Sequence, residues 1–289
     1  MRKAGRLPDF IIIGSMKSAT STLHNQLSVQ PGIFMSSPKE PNFFSDEPIY
    51  RKGLDWYRGL FSAARDNDIC GESSTHYTKL PDYPRTVQRL KDAINNPKLI
   101  YVMRHPVDRL VSHYIHQWSE GVINCDINKA IDRHPELISY SCYGEQMAPF
   151  VEAFGEEALL PVFFNDLKSA PQVSLETIGR FIGVPDPESL YWNEQSGRDN
   201  VSKNRIRRFY GSEFIINSMF MTWLRQTFIP QPLRDRIKGR LTMGLRPQLS
   251  ESQLAKVTEI FDQDLKLLFD WFGFELSCLD FNDFSRIGK

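Results

Sequence analysis

Apolar residues recur along this chain in two rhythms. The first is a short unbroken run: Phe10-Ile11-Ile12-Ile13, Ile33-Phe34-Met35, KLIYVM from Lys98 to Met103 and LLPVFF from Leu159 to Phe164. Asp68-Ile69-Cys70-Gly71 is a weaker run that passes into the polar Glu72-Ser73-Ser74. Short apolar runs bounded by turn residues predict strands buried on both faces. The second rhythm repeats every three to four residues. Leu23, Leu27 and Gln30 follow the first run at that spacing, and Leu54, Trp56, Tyr57, Leu60 and Phe61 suit a short helix over 53–61. Val87, Leu90 and Ile94 line one face over 84–94. Leu110, Val111, Tyr114 and Trp118 do the same after Pro106, which suits the first position of a helix. Further helices are predicted over 126–133, 143–154, 209–228 and 173–182, the last closed by Gly183. A long one over 251–272 carries Leu254, Val257, Ile260, Phe261, Leu265 and Leu268 in register. Strands alternating with helices predict an α/β fold: a central, mainly parallel sheet with helices on both faces. The whole of 1–289 reads as one domain, with a core over about 8–185 and a helical, loop-rich C-terminal part over about 186–289.

The most informative stretch is PDFIIIGSMKSATSTL, Pro8 to Leu23. It reads as strand, small-residue loop and helix start. Backbone N–H groups of such a loop converge, and the helix N-terminus adds partial positive charge. Lys17 supplies a full charge and the neighbouring hydroxyls supply donors, which makes an anion cradle suited to phosphate. It is not a Walker A loop, because Lys17 follows Gly14 by three residues and no second glycine precedes it. On these residues alone, an ordinary βα turn with a solvated lysine stays open.

Composition narrows the partners. Thirty-five basic residues balance 35 acidic ones, so no global attraction to nucleic acid or an anionic membrane is expected. The four cysteines, Cys70, Cys125, Cys142 and Cys278, are far apart and lack paired histidine spacing. That argues against a structural zinc site and for free thiols in a reducing compartment. No run is long and apolar enough to predict a membrane span, and MRKAGRLPDF lacks the apolar stretch of a signal peptide.

In a parallel sheet, ligands bind beyond the C-terminal strand ends. The loops after the first, third and fourth strands therefore share a rim. They carry Lys17 and its neighbours, Glu72 to Tyr77, and Arg104 to Ser112. Near them lies Lys39-Glu40-Pro41-Asn42-Phe43-Phe44, a charged pair beside two aromatics, expected to pack down onto the core.

Three motifs, IIIGSMKSATSTL, KEPNFF at 39–44 and YVMRHPVDRLVSHY at 101–114, occur in that order. GESSTHY at 71–77, WYRGLF at 56–61 and LRPQLSESQLAKVTEIFDQDLKLL add weaker support. Together the chain resembles the sulfotransferases that use PAPS (3′-phosphoadenosine 5′-phosphosulfate), above all the heparan sulfate type and its bacterial relatives. The resemblance implies a P-loop-like three-layer fold. It also implies transfer of the sulfuryl group of PAPS to a hydroxyl, with an amine as the second choice, of a carbohydrate, lipid or small-molecule acceptor. Adenosine 3′,5′-bisphosphate would be the product, and no metal is needed. Two departures stand out. Ser73 occupies the place where the heparan enzymes carry a lysine, and no close cysteine pair matches their C-terminal disulfide. Both loosen the link to heparan, and the second fits a cytoplasmic bacterial enzyme.

The resemblance assigns roles residue by residue. Lys17 would meet the bridging oxygen and 5′-phosphate, with Ser18, Ala19, Thr20, Ser21 and Thr22 donating beside it. Arg104 and Ser112 would hold the 3′-phosphate, and Lys203, Arg205, Arg207 and Arg208 would close over the nucleotide. Glu40 would act as general base, with burial beside Phe43 and Phe44 raising its pKa. His76 and Glu72 are rival bases, and an ion pair with Lys39 is the plain alternative for Glu40. A P-loop nucleotide kinase and a non-catalytic anion- or glycan-binding module are the competing functions.

Overall fold

The computed structural model describes residues 5–195, 243 and 245–285. The basic residues Lys203, Arg205, Arg207 and Arg208 and the helix expected over 209–228 lie outside them.

Five strands form the sheet: β1 (Phe10–Gly14), β2 (Ile33–Met35), β3 (Ile69–Ser73), β4 (Lys98–Met103) and β5 (Leu159–Phe163). The order is β2-β3-β1-β4-β5, and every pairing is parallel. The sheet is thus wholly rather than mainly parallel among the described residues. The helices in the first part are α1 (Thr20–Ser28), α2 (Glu47–Tyr50), α3 (Leu54–Gly59), α4 (Thr86–Ala93) and α5 (Pro106–Ser119). They are followed by α6 (Ile127–Arg133), α7 (Glu136–Ser139), α8 (Tyr143–Phe154), α9 (Phe164–Ser169), α10 (Pro171–Ile182) and α11 (Glu251–Phe272).

Alternation along each strand divides the core. Ile11, Ile13, Tyr101, Met103 and Phe163 pack with Tyr57 of α3, Leu90 of α4, Phe150 of α8 and Leu265 of α11. Phe10, Ile12, Ile100, Val102 and Val162 pack with Leu23 and Leu27 of α1 and Leu175 and Ile178 of α10. Both faces are covered by helices, which is why β1, β4 and β5 carry no polar alternation. A third cluster joins Leu110 and Tyr114 of α5 to Ile127 of α6 and Val257 and Phe261 of α11.

The helical periods translate with small shifts. The first helix stops at Ser28, and Gln30 lies beyond it, its side-chain amide donating to the carbonyls of Gln26 and Tyr191. Leu254 faces solvent at 42% exposure, whereas Val257, Phe261, Leu265 and Leu268 are buried as expected. Buried Asp264 of α11 accepts from the N–H groups of Gly144 and Glu145, both at 2.8 Å, and so caps the N-terminus of α8. The four cysteines are free.

Candidate active site

The first connection from β1 runs toward β2 and β3, and the later one crosses to β4 on the other side. β1 is therefore the point where the winding reverses, and a crevice opens beyond its C-terminal end. The Gly14–Ala19 loop lines that crevice. Ser15 N and Oγ both donate to the carbonyl of Val102 on β4, at 3.0 and 2.9 Å. A Cβ on Gly14 would lie 2.1 Å from Thr78 Oγ1 and 2.9 Å from the Tyr101 ring, so only glycine fits there.

Lys17 and Ala19 have φ of 74° and 65°, the left-handed region. Non-glycine residues there cost about 1 kcal/mol or more, and such strain clusters at binding sites. The chain reaches with two strained residues the turn for which a Walker loop uses glycine. Lys17 is half-buried. Ser18 is buried, and its hydroxyl meets Ser15 Oγ at 2.6 Å. Thr20 is buried at the start of α1, and Ser21 and Thr22 are half-buried in its first turn. No side chain caps this helix at Ala19, which leaves the first-turn N–H groups to other acceptors.

The acidic loop is laced to β3. Glu40 N donates to Ser73 O at 2.9 Å, and Asn42 N donates to Ser74 Oγ at 3.0 Å. Phe43 and Phe44 are buried as expected, Phe43 stacking on Tyr57 at 4.6 Å and Phe44 meeting it edge-on at 5.1 Å. The Glu40 carboxylate stays half-exposed. Its Oε1 takes Lys39 Nζ at 2.6 Å, and its Oε2 accepts from Thr75 Oγ1 at 3.3 Å. Burial does push the Glu40 pKa up, but Lys39, then Lys79 and His76, outweigh it and hold the carboxyl below its ordinary value. The raised pKa expected from the aromatic neighbours is therefore corrected: the adjacent ammonium wins.

The rival bases differ. His76 is half-buried, stacks on Tyr83 at 4.8 Å and meets Asp46 Oδ1 through Nδ1 at 2.9 Å. Glu72 is wholly buried: Tyr57 and Tyr77 donate to its Oε1 and Ser74 to its Oε2, each at 2.8 Å. Burial raises its pKa to about 7. Glu72 is enclosed by three hydroxyls and does not reach the crevice.

Arg104 follows β4, next to the β1 loop. Its guanidinium lies over the Phe164 ring at 5.1 Å and 3.8 Å from Asp108, and burial lowers its pKa against the pull of Asp108. Its Nε is buried without a hydrogen-bond partner among the described residues. A buried donor of this kind costs free energy until an acceptor arrives. Ser112 is half-buried on α5. His105 is turned away, its Nε2 on the Cys278 carbonyl at 2.8 Å.

Three residues to which the motifs assign no role also stand near this rim. Arg246 reaches Asp108, which it shares with Arg104. Lys79 is held by burial at about 8 and feels Glu40, Arg109 and Asp46. His24 of α1 meets Ser73 Oγ at 2.9 Å, and burial, with Lys39 adding, lowers it to about 4. Among the described residues, no group of three or more His, Cys, Asp or Glu is placed to hold a metal ion. No described helix is long and apolar enough to cross a membrane.

Comparison with known proteins shows the family of the chain. The sulfotransferase domain family model matches residues 7–269, so the chain belongs to that family, whose sulfuryl donor is PAPS. It is 28% identical over 199 residues to human bifunctional heparan sulfate N-deacetylase/N-sulfotransferase 2, covering 62% of this chain and 22% of that protein. The chain thus spans under a quarter of that relative's length. It is 24% identical over 272 residues to mouse heparan sulfate glucosamine 3-O-sulfotransferase 5, covering 89% of this chain and 69% of that one. In fold it is similar to a solved sulfotransferase from Alicyclobacillus acidocaldarius, with TM-score 0.66, 21% identity and coverage of 94% and 98% of the two chains. It is also similar to mouse sulfotransferase SULT7A1 complexed with PAP, with TM-score 0.50, 15% identity and coverage of 91% and 85%.

Proposed function

We propose that this chain transfers the sulfuryl group of PAPS to an acceptor hydroxyl, with Glu40 as general base. The observation that carries this reading is the order β3-β1-β4, which brings Glu40, Lys17 and Arg104 to neighbouring strand ends. The residues fit the donor: a helix start without a side-chain cap and Lys17 suit its 5′ end, and Arg104, whose Nε has no partner among the described residues, suits its 3′-phosphate. PAPS supplies the activated sulfuryl group.

The chain's own part is positioning and charge. Lys17 and the first-turn N–H groups of α1 orient the 5′ end, and the lysine offsets negative charge that builds on the leaving oxygen. Ser18 acts through Ser15, holding the loop. Thr20, Ser21 and Thr22 line the helix start, and Arg104 with Ser112 grips the 3′ end. Lys203, Arg205, Arg207 and Arg208 serve as a cover over the nucleotide. Glu40 takes the acceptor proton at Oε2, the oxygen not held by Lys39. Lys39 keeps that carboxylate ionised. Asp46 holds His76, the rival base, through Nδ1. One domain carries all of this, in the cytoplasm of a bacterial cell.

The acceptor is a carbohydrate, lipid or small-molecule alcohol. The test is a screen of such acceptors with sulfur-labelled PAPS. Label should move to at least one alcohol and bisphosphate should appear in equal amount. Retention of all label in PAPS across the screen, with the bisphosphate bound tightly, would favour a binding module instead.

A further inference from the structure

Arg109 is the largest fully buried side chain in the described structure, at 0% exposure. Burying a guanidinium is costly unless a carboxylate accompanies it. Here none does. Its Nε donates to Ser141 Oγ at 2.6 Å, and its Nη2 donates to the Leu137 carbonyl at 3.3 Å and to His113 Nδ1 at 3.1 Å. Its Nη1 donates to the carbonyl of Met16 at 3.4 Å. All four acceptors are neutral. Burial, with Arg109 next in effect, holds His113 far below its ordinary pKa, so the imidazole stays neutral and its Nδ1 can accept from Arg109. Burial holds the Arg109 pKa below its ordinary value, and the neighbouring Tyr101, Tyr140, Tyr143 and Cys142 all have raised pKa values, so they stay neutral beside it.

Met16 directly precedes Lys17, so Arg109 grips the anion loop from behind. The strained turn at Lys17 needs an outside restraint, since its φ of 74° is unfavourable for lysine. A guanidinium fixed through three further contacts supplies one. Among the described residues its charge also has no counter-ion within salt-bridge distance, and in a buried setting such a charge is weakly screened.

We propose that Arg109 is a positioning residue for the donor's 5′ end. It pins the Met16 carbonyl so that the loop keeps its shape, and its charge is balanced by the anion the loop receives. This rests on the PAPS reading above. It adds a residue of α5 that lies behind the loop and does not touch the nucleotide.

The test measures calorimetric affinity for two probes, adenosine 3′,5′-bisphosphate and adenosine 3′-phosphate, on wild type, Arg109→Gln and Arg109→Lys. The 5′-phosphate is the only difference between the probes. Arg109→Gln should weaken the bisphosphate by at least about tenfold, a loss of about 1.4 kcal/mol, while the 3′-phosphate changes by less than about threefold. Arg109→Lys keeps the charge but not the fork, and should fall between. If Arg109→Gln does not fold, the same comparison on Arg109→Lys decides. Equal losses on both probes would show a merely structural role and overturn the proposal, as would no loss on either. Failure of wild type to bind the bisphosphate would remove the PAPS reading and this proposal with it.

Discussion

The backbone N–H of Glu40 donates to the carbonyl of Ser73 at 2.9 Å. This bond fastens the acidic loop to the end of β3, beside β1 and its anion loop. It fixes where the carboxylate stands before any side-chain contact does. Glu40 itself sits at a φ of 57°, a strained value for glutamate, so the loop holds it there against its preference.

Glu40→Gln keeps that shape and removes the basicity. Affinity for adenosine 3′,5′-bisphosphate should stay within about threefold of wild type, while transfer to an alcohol falls by about 10²-fold or more. Parallel assays of His76→Ala separate the two candidate bases. Near-normal turnover in Glu40→Gln with collapse in His76→Ala would move the base to His76.

The Lys39–Glu40 pair predicts a pH effect. Lys39 keeps the Glu40 carboxyl below its ordinary value, so the base form persists as pH falls and is lost only through that depressed pKa. Lys39→Ala removes the first of the lowering charges and leaves burial to act. The Glu40 titration, followed by carbon NMR of labelled glutamate, should then move upward. A downward or absent shift would show that Lys39 does not set the ionisation.

Glu72 predicts the opposite trend, in stability. Its folded pKa is raised to about 7 from an ordinary 4.5, so between those values the folded chain keeps a proton that the unfolded chain has lost. Stability then falls as pH rises through this window and levels off above it. Glu72→Gln should abolish that component, on the order of 1–3 kcal/mol, in urea midpoints compared at pH 5 and pH 8. An unchanged pH slope in the variant would contradict the assignment.

Arg104→Ala should weaken bisphosphate binding by about 1.5–3 kcal/mol, the range for a charge-assisted hydrogen bond. The loss should shrink for adenosine 5′-phosphosulfate, which lacks the 3′-phosphate. Equal losses would mean that Arg104 does not read that group.

The layered fold was legible in the sequence because it rests on local rhythm. Strands buried on both faces need unbroken apolar runs, and 10–13, 98–103 and 159–163 have them. Short helices such as α2, α7 and α9 were not legible, since about one turn carries no period. Motif residues such as Lys17, Glu40 and Arg104 stand at positions the chain order already implies. Arg109, Lys79 and Arg246 are different. Their surroundings are assembled from segments far apart in sequence, as when Arg246 meets Asp108 or Arg109 meets Met16. Even the ionisation of Glu40 turned on a balance of burial against Lys39 that residue types alone do not settle.

The most direct test of the central claim is calorimetric titration of the wild-type chain with adenosine 3′,5′-bisphosphate in EDTA, with ATP as comparison. The β1 loop and Arg104 together predict saturable binding of the bisphosphate without metal, and weaker binding of ATP. No binding of the bisphosphate, or tighter binding of ATP that depends on Mg²⁺, would contradict the account and point to a nucleotide kinase.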